Sequence, residues 1–145
     1  MNFSVRIERP NAEELAALFF AVGWGGSSLD VLRQSIEAYP CTVCARLESG
    51  TLVGYLSAFS DGVMSTMLGE LVVHPDERRR GVASQLLRVV EDRYPDAPVY
   101  IKALGESKLF YSALGFKQPT AEMTVMFKRP DSKRSAISQE SVRAA

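Results

Sequence analysis

The sequence predicts an α/β domain whose central sheet is mixed but mostly antiparallel, with helices on both of its faces. Several short stretches alternate apolar and polar side chains, as half-buried strands do, and others place apolar side chains at helical spacing. These segments follow one another as strand, two helices, three strands, helix, strand, helix and strand. A chain of 145 residues is long enough to bury one core, so a single domain is expected.

The N-terminal segments predict one strand and two helices. Residues 3–7 alternate apolar and polar side chains, which favours a short strand. Two stretches with apolar residues at helical spacing follow. Gly23 is expected to end the first helix in a left-handed conformation, Ser28 can cap the second, and Pro40 lies beyond its end.

The middle of the chain predicts an antiparallel meander. Residues 41–47, 52–60 and 67–74 are strand-like, and Ser49-Gly50 and Asp61-Gly62 are typical of the turns between them. The three strands are therefore expected to be neighbours in the sheet.

Helical and strand patterns alternate in the C-terminal part. Residues 81–94 predict a helix with one apolar stripe, and residues 99–103 a strand. A short helix is expected at residues 107–114, with Ser107 as its cap and Gly115 as its stop, and a final strand at residues 122–128. The domain is thus expected to span residues 1–128, and residues 129–145 are predicted to be a flexible tail because they offer little to bury.

Charge and hydropathy exclude several classes of partner. Lys plus Arg and Asp plus Glu number 17 each, so no overall positive field favours nucleic acid or a membrane surface. The N-terminus lacks the apolar stretch of a signal peptide, and no apolar run is long enough to cross a bilayer. A cytoplasmic protein without nucleic-acid or membrane partners is expected.

Cys41 and Cys44 form a C-x-x-C pair that could suggest a metal or redox site. The pair lies in a strand-like stretch, where residues three apart point to opposite faces. A structural zinc site also needs about four ligands, and no second pair exists. We therefore expect two reduced cysteines and no metal.

Residues 70–84 carry the most informative pattern, Glu-Leu-Val-Val-His-Pro-Asp-Glu-Arg-Arg-Arg-Gly-Val-Ala-Ser. It predicts a strand, a turn with three arginines, and a glycine that opens an amphipathic helix. The first backbone N–H groups of a helix have no partner within it, so they can bind an anion such as a diphosphate. The pattern lacks both the Gly-Lys-Ser/Thr ending of mononucleotide sites and the G-x-G-x-x-G of dinucleotide sites.

The stretch Arg78-Arg-Arg-Gly-Val-Ala83 resembles the Arg/Gln-x-x-Gly-x-Gly/Ala pattern of the GCN5-related N-acetyltransferase (GNAT) family. The preceding strand and a second motif, Phe110-Tyr-Ser-Ala-Leu-Gly-Phe116, resemble the same family in the right order. The resemblance covers all but the tail. It implies a GNAT-type sheet and transfer of the acetyl group of acetyl-coenzyme A to a primary amine in a ternary complex, without a metal.

The resemblance also implies which residues hold the cofactor. The amides of Val72 and Val73 would pair with the pantetheine arm where the sheet splays, and the Val73 amide would donate to the developing oxyanion. The amides at the start of the helix would hold the pyrophosphate, and the arginines would either reach nearby phosphates or stay solvated. The implied cofactor-binding residues are Leu71, Val72, Val73, Arg78, Arg79, Arg80, Gly81, Val82, Ala83, Ser84 and Lys108.

Tyr111 and Glu70 are the implied catalytic residues. Tyr111 would protonate the departing thiolate, and the alternative is a tyrosine packed on the short helix with its hydroxyl satisfied. Other residues already supply the apolar stripe of this helix, so Tyr111 is expected toward the edge of the stripe, which favours the catalytic role. Glu70 would accept a proton from the amine, directly or through water, or else bind the ammonium group or make a structural ion pair. His74, the only histidine, is expected to be structural.

The acceptor is not identified by the sequence. Trp24 is either a core anchor or part of the acceptor pocket, and Asp61 could bind a cationic acceptor, although Asp-Gly is first of all a turn. A small-molecule amine is favoured. A protein-directed acetyltransferase and a coenzyme A-binding regulatory domain without turnover are the alternatives, and a homodimer is possible because dimers are common in similar proteins.

Overall fold

A computed structural model describes residues 2–131 of the chain. The strands are β1 (Phe3–Ile7), β2 (Cys41–Leu47), β3 (Leu52–Ser60), β4 (Thr66–Val73) and β5 (Val99–Tyr100). The helices are α1 (Ala12–Ala21), α2 (Leu29–Ala38), α3 (Val82–Arg93) and α4 (Ser107–Ala113), and a 3-10 turn at Pro75–Glu77 precedes α3.

The strands form one sheet in the order β1-β2-β3-β4-β5. β1 to β4 pair antiparallel, and β5 pairs parallel to β4. α3 crosses from β4 to β5, as a parallel pair requires. The predicted mixed, mostly antiparallel sheet is confirmed.

Helices cover both faces of this sheet, as predicted. α3 packs on one face in a core cluster that contains Leu56, Leu71 and Leu86. α1 and α2 pack on the other face in a second cluster around Tyr55 and Val72. Successive residues of one strand therefore point into different cores.

The helix starts and stops in the N-terminal part confirm the sequence signals. The Asn11 side chain and Glu14 form a capping box at α1. The Ser28 side chain accepts the N–H of Val31 at the start of α2. Gly23 follows α1 with a positive φ of 88°.

Cys41 and Cys44 are buried free cysteines of β2. They lie in different core clusters, so they point to opposite faces as the strand pattern predicted. Burial raises the pKa of Cys44 to about 12, and it also raises the pKa of Cys41. The raised pKa values favour the protonated form of both thiols at neutral pH.

The C-terminal predictions are partly wrong. β5 has only two residues instead of the five expected, and residues 122–128 form no strand and are exposed. An alternating pattern makes a strand only where a neighbouring edge pairs with it, and these residues have no such pairing among residues 2–131. Ser107 does not cap α4, because its hydroxyl donates to the Leu104 carbonyl. Of the predicted tail, residues 132–145 lie outside the described residues.

Arg46 of β2 makes a bidentate ion pair with α1 and a further hydrogen bond to the residue that follows β1. Its guanidinium donates to both carboxylate oxygens of Glu14 at 2.7 Å and, through Nε, to Glu8 at 3.1 Å. The hydrogen bond to Arg46 lowers the pKa of Glu14, against the effect of burial.

Among the described residues, no helix is long and apolar enough to cross a bilayer.

Candidate active site

The start of α3 leaves several backbone N–H groups available to a ligand. Gly81 occupies the N-cap position with φ 80°, and no side chain caps the helix. The first helical hydrogen bond runs from the Gln85 N–H to the Gly81 carbonyl, at 3.1 Å. The N–H groups of Val82, Ala83 and Ser84 therefore have no partner within the helix, and the helix dipole adds positive potential there.

A pocket of about 480 Å³ opens in front of these N–H groups. Most of the residues that the sequence assigned to the cofactor line it: Leu71, Val73, Arg78, Arg79, Gly81, Val82, Ala83 and Ser84. Glu77, Phe110 and Leu114 also line it and were not predicted. The Phe110–Phe116 motif could have indicated Phe110 and Leu114, because its resemblance to the family implies that α4 lies near the cofactor.

β4 has an open edge beside this pocket. β5 pairs only with Thr66 and Met67, so the rest of β4 has no strand on that side among the described residues. The His74 N–H donates to Val53 of β3 at 2.8 Å, and alternation therefore turns the Val72 amide toward β3 as well. The prediction that the Val72 amide meets the cofactor is thus wrong, and the amides of Leu71 and Val73 face the open edge.

The arginine triplet separates into different roles. Arg78 donates from Nε to the Val73 carbonyl at 3.3 Å, which confirms that this carbonyl also faces the open edge. Arg80 lies 3.4 Å from the buried Glu77 carboxylate and does not line the pocket. Arg79 is a non-glycine residue with a positive φ of 66°, a strained conformation at the mouth of the site.

Lys108 does not line the pocket either, and it is exposed on α4.

Tyr111 is the buried residue of α4, so the prediction that it lies at the edge of an apolar stripe is wrong. Its ring packs edge-on between Phe110 and Phe116, at centroid distances of 5.1 and 5.6 Å. Its hydroxyl has no hydrogen-bond partner within residues 2–131. Burial raises the pKa of Tyr111 to about 12, so the hydroxyl keeps its proton at neutral pH.

Glu70 is a buried carboxylate at a bulge in β4, where the register with β3 shifts. Tyr39 donates its hydroxyl to one carboxylate oxygen at 2.9 Å, and Ser57 donates to the other at 3.0 Å. Burial raises the pKa of Glu70, and these two hydrogen bonds and Lys102 oppose the rise. Glu70 makes no ion pair among the described residues, so the structural ion-pair alternative is not supported.

Trp24, Asp61 and His74 have evident structural roles. The Trp24 ring is partly buried and packs against Phe19, at a centroid distance of 5.3 Å, on the side of the second core cluster, which agrees with the core alternative. Asp61 accepts the N–H groups of the three residues that follow Gly62, which confirms the turn interpretation. The His74 ring accepts the Asp76 N–H at 3.1 Å, which holds the 3-10 turn. Acceptor binding by Trp24 and Asp61 stays a prediction.

Known proteins share short stretches of this sequence. A mycothiol acetyltransferase of Kineococcus radiotolerans is 42% identical over 64 residues, which are 43% of this chain and 21% of that protein. A mycothiol acetyltransferase of Mycolicibacterium vanbaalenii is 48% identical over 42 residues, 29% of this chain and 14% of that protein. The matches thus span about a fifth or less of the length of these relatives.

Solved structures share the fold at low sequence identity. A probable acetyltransferase from meticillin-resistant Staphylococcus aureus superimposes with a TM-score of 0.73 and 15% identity, over 89% of this chain and 100% of that one. The aminoglycoside 6'-N-acetyltransferase of Acinetobacter baumannii gives 0.67 and 22%, over 90% and 100%.

The model of the acetyltransferase (GNAT) family matches residues 9–116, which include the open edge of β4, the uncapped start of α3 and the Phe110–Phe116 motif. The chain therefore belongs to the GNAT acetyltransferase family.

Proposed function

We propose that this chain transfers the acetyl group of acetyl-coenzyme A to the primary amine of a small molecule, with both substrates bound together. The observation that carries the proposal is the uncapped start of α3 next to the open edge of β4. The N–H groups of Val82 to Ser84 suit a pyrophosphate, and the amides of Leu71 and Val73 suit the amide groups of a pantetheine arm. The pocket has apolar walls from Phe110 and Leu114 along the path between them.

The reaction needs a hydrogen-bond donor that stabilises the oxyanion and an acid that protonates the leaving group. The amine nitrogen would attack the thioester carbon, and the Val73 N–H would donate to the carbonyl oxygen as it becomes negative. The carbon–sulfur bond then breaks, and the Tyr111 hydroxyl would give its proton to the thiolate. The attacking nitrogen would lose its second proton to solvent, and solvent would return a proton to the Tyr111 phenolate. The unpartnered Tyr111 hydroxyl supports this role, because a buried hydroxyl ordinarily has a partner.

Glu70 is the proposed proton acceptor for the amine. An alkylammonium has no lone pair, so one proton must leave before attack. Burial raises the pKa of this carboxylate toward the range in which a general base works best. Its side chain lies on the α1 and α2 face of β4, opposite the faces of Leu71 and Val73, so an acceptor would approach from that side.

A negative charge placed at the start of α3 tests the proposal. Ser84→Glu adds an anion in the first turn of α3, which stabilises the helix but repels a pyrophosphate. Acetyl-coenzyme A affinity, measured by calorimetry, is expected to fall by roughly tenfold or more, since a repulsion of about 1.4 kcal/mol has that effect. Gln85→Glu is the matched control because Gln85 does not line the pocket. No detectable binding of acetyl-coenzyme A by the unmodified protein would remove the proposal.

The alternatives predict different results in a thiol-release assay. A protein-directed acetyltransferase would acetylate peptides faster than small amines, and a regulatory domain would bind acetyl-coenzyme A without consuming it. The small-molecule proposal is supported by the solved relatives of this fold, which include aminoglycoside acetyltransferases. We also propose that the protein is cytoplasmic and that it forms a homodimer.

A further inference from the structure

Three large apolar side chains lie exposed beside one another on the sheet face that carries Glu70. They are Phe59 of β3, Met67 of β4 and Tyr100 of β5, with exposed fractions of 48%, 37% and 46%. Met67 is the register partner of both Phe59 and Tyr100, so the three form a continuous strip across the strands. This strip, the apolar row, lies beyond the part of the face that α1 and α2 cover.

The apolar row is continuous with the buried carboxylate of Glu70 through Tyr39. The Tyr39 ring packs on the Phe59 ring at a centroid distance of 4.5 Å, and its hydroxyl donates to Glu70 at 2.9 Å. Gly69 makes room for this arrangement, because a Cβ there would collide with the Tyr39 hydroxyl and with Ser57. An exposed apolar surface thus ends at a carboxylate that is only 8% exposed.

These two parts match a ligand with a cationic end and an apolar body. Tyr39 and Ser57 each use one lone pair of a Glu70 oxygen, so both oxygens can still accept from an ammonium. From Glu70 to Met67 the strand advances roughly 10 Å at about 3.3 Å per residue, the length of an aromatic ring on a short alkyl linker. The apolar row would contact such a body along this distance.

The surroundings disfavour polar and polycationic amines. Sugar hydroxyls laid on Phe59 and Met67 would lose water without gaining hydrogen bonds, and only the Tyr100 hydroxyl could replace one. Lys102, on the segment after β5, is the cation whose charge acts on Glu70, and a second ammonium of a polyamine would meet it. The other titratable groups that face Glu70 are the hydroxyls of Tyr39 and Tyr55.

We propose that Phe59, Met67 and Tyr100 form the acceptor subsite, and that the acceptor is a monoamine whose ammonium binds at Glu70 and whose body is aromatic or aliphatic. The proposal rests on the proposed acetyltransferase function and names the substrate class of the same site.

Wild-type protein provides the first test. With saturating acetyl-coenzyme A, thiol release is measured for 2-phenylethylamine, hexylamine, glucosamine and spermidine. The kcat/KM values of the first two are expected to exceed those of the last two by roughly tenfold or more, the discrimination that one or two buried methylenes provide. Equal values, or preference for glucosamine or spermidine, overturn the subsite.

Variants locate the effect. Phe59→Ser is expected to raise the KM for 2-phenylethylamine roughly tenfold and leave acetyl-coenzyme A affinity unchanged. Met67→Ser is a second variant that leaves the Tyr39–Phe59 stack in place. Phe20→Ser is the control, because Phe20 is 80% exposed on α1 and lies outside both substrate sites. Unchanged KM in both row variants contradicts the proposal.

The test also separates the two proposals. If the protein neither binds acetyl-coenzyme A in calorimetry nor releases thiol with any amine, both fall. If it acetylates polar amines best, only the subsite falls. If Phe59→Ser dissociates a dimer in sedimentation and leaves every KM unchanged, the apolar row is an interface between copies and the subsite is likewise overturned.

Discussion

Tyr111 holds a hydroxyl in the core without a hydrogen-bond partner among the described residues. A buried unpaired hydroxyl costs roughly 1–3 kcal/mol of stability, so a packing role alone would be served better by phenylalanine. Its pKa of about 12 keeps the proton available to a leaving thiolate. Tyr111 itself does not line the pocket, although its neighbours Phe110 and Leu114 do, so its retained proton is what supports the proposed acid role.

Tyr111→Phe separates catalysis from packing. Turnover is expected to fall by roughly a hundredfold or more, as the loss of a general acid does. Acetyl-coenzyme A affinity and the melting temperature should be unchanged or slightly higher, because the removed hydroxyl has no partner. Tyr94→Phe, at the end of α3, is the matched control. Wild-type turnover in Tyr111→Phe would remove this residue from the mechanism.

Helix α3 sits on β3 at Gly54, and this contact sets where the start of α3, the proposed pyrophosphate site, lies relative to the sheet. A Cβ at Gly54 would stand 2.9 Å from Val82 Cγ1 and 3.1 Å from Leu86 Cδ1, closer than packed side chains allow. The glycine is therefore required by the close approach of the helix.

Gly54→Ala tests this coupling between elements. Overpacking is expected to cost about 1–3 kcal/mol of unfolding free energy and to move the start of α3, which weakens acetyl-coenzyme A binding. Denaturant melts and calorimetry measure both. Gly25→Ala is the control, because a Cβ at Gly25 has nothing within 4 Å. Equal stability and affinity in the two variants would show that α3 tolerates the added methyl group.

Elements with a strong local signal could be predicted from the sequence, and those that depend on a partner could not. The bounds of β2 and β3 agree with the prediction, because the turn signals that flank these strand-like stretches define them locally. Residues 122–128 are also strand-like, but no strand pairs with them among residues 2–131. The direction of the Val72 amide depends on register with β3, which a bulge shifts, and no local pattern reveals it.

The sequence motifs predicted most of the residues that line the pocket, but they did not predict the surroundings of Glu70. Tyr39 and Ser57 come from an earlier helix end and a neighbouring strand, so only the folded sheet brings them to the carboxylate. Glu77 had a usable signal, because its spacing of three from Arg80 suits an ion pair across one turn.

At the scale of the whole molecule, Arg46 joins the second strand to the first helix and to the segment that follows the first strand. Its bidentate bond lowers the pKa of Glu14 below the ordinary 4.5. A carboxyl with a lowered folded-state pKa stabilises the protein above its unfolded pKa, and that stability is lost as pH falls through the folded pKa.

Arg46→Ala should therefore destabilise most at neutral pH. We expect a loss of about 2 kcal/mol in unfolding free energy at pH 7, typical of a hydrogen bond between charged groups. The difference from wild type should shrink as pH falls below about 4, measured by urea denaturation. Arg33→Ala is the control, since its ion pairs are exposed and worth at most about 1 kcal/mol. A pH-independent loss would show that Arg46 acts through packing alone.

The opening of the sheet beyond the short β5 gives an expectation for the kinetics of the proposed acetyl transfer. At that opening, Leu71 and Val73 pack toward α3 and Val72 packs toward α1 and α2, and alternation places Glu70 on the same face as Val72. Two ligands that enter from opposite sides of one strand do not block each other, so neither has to depart before the other arrives. Double-reciprocal plots of initial velocity should consequently give intersecting lines, and parallel lines would reveal an acetylated form of the protein on the path.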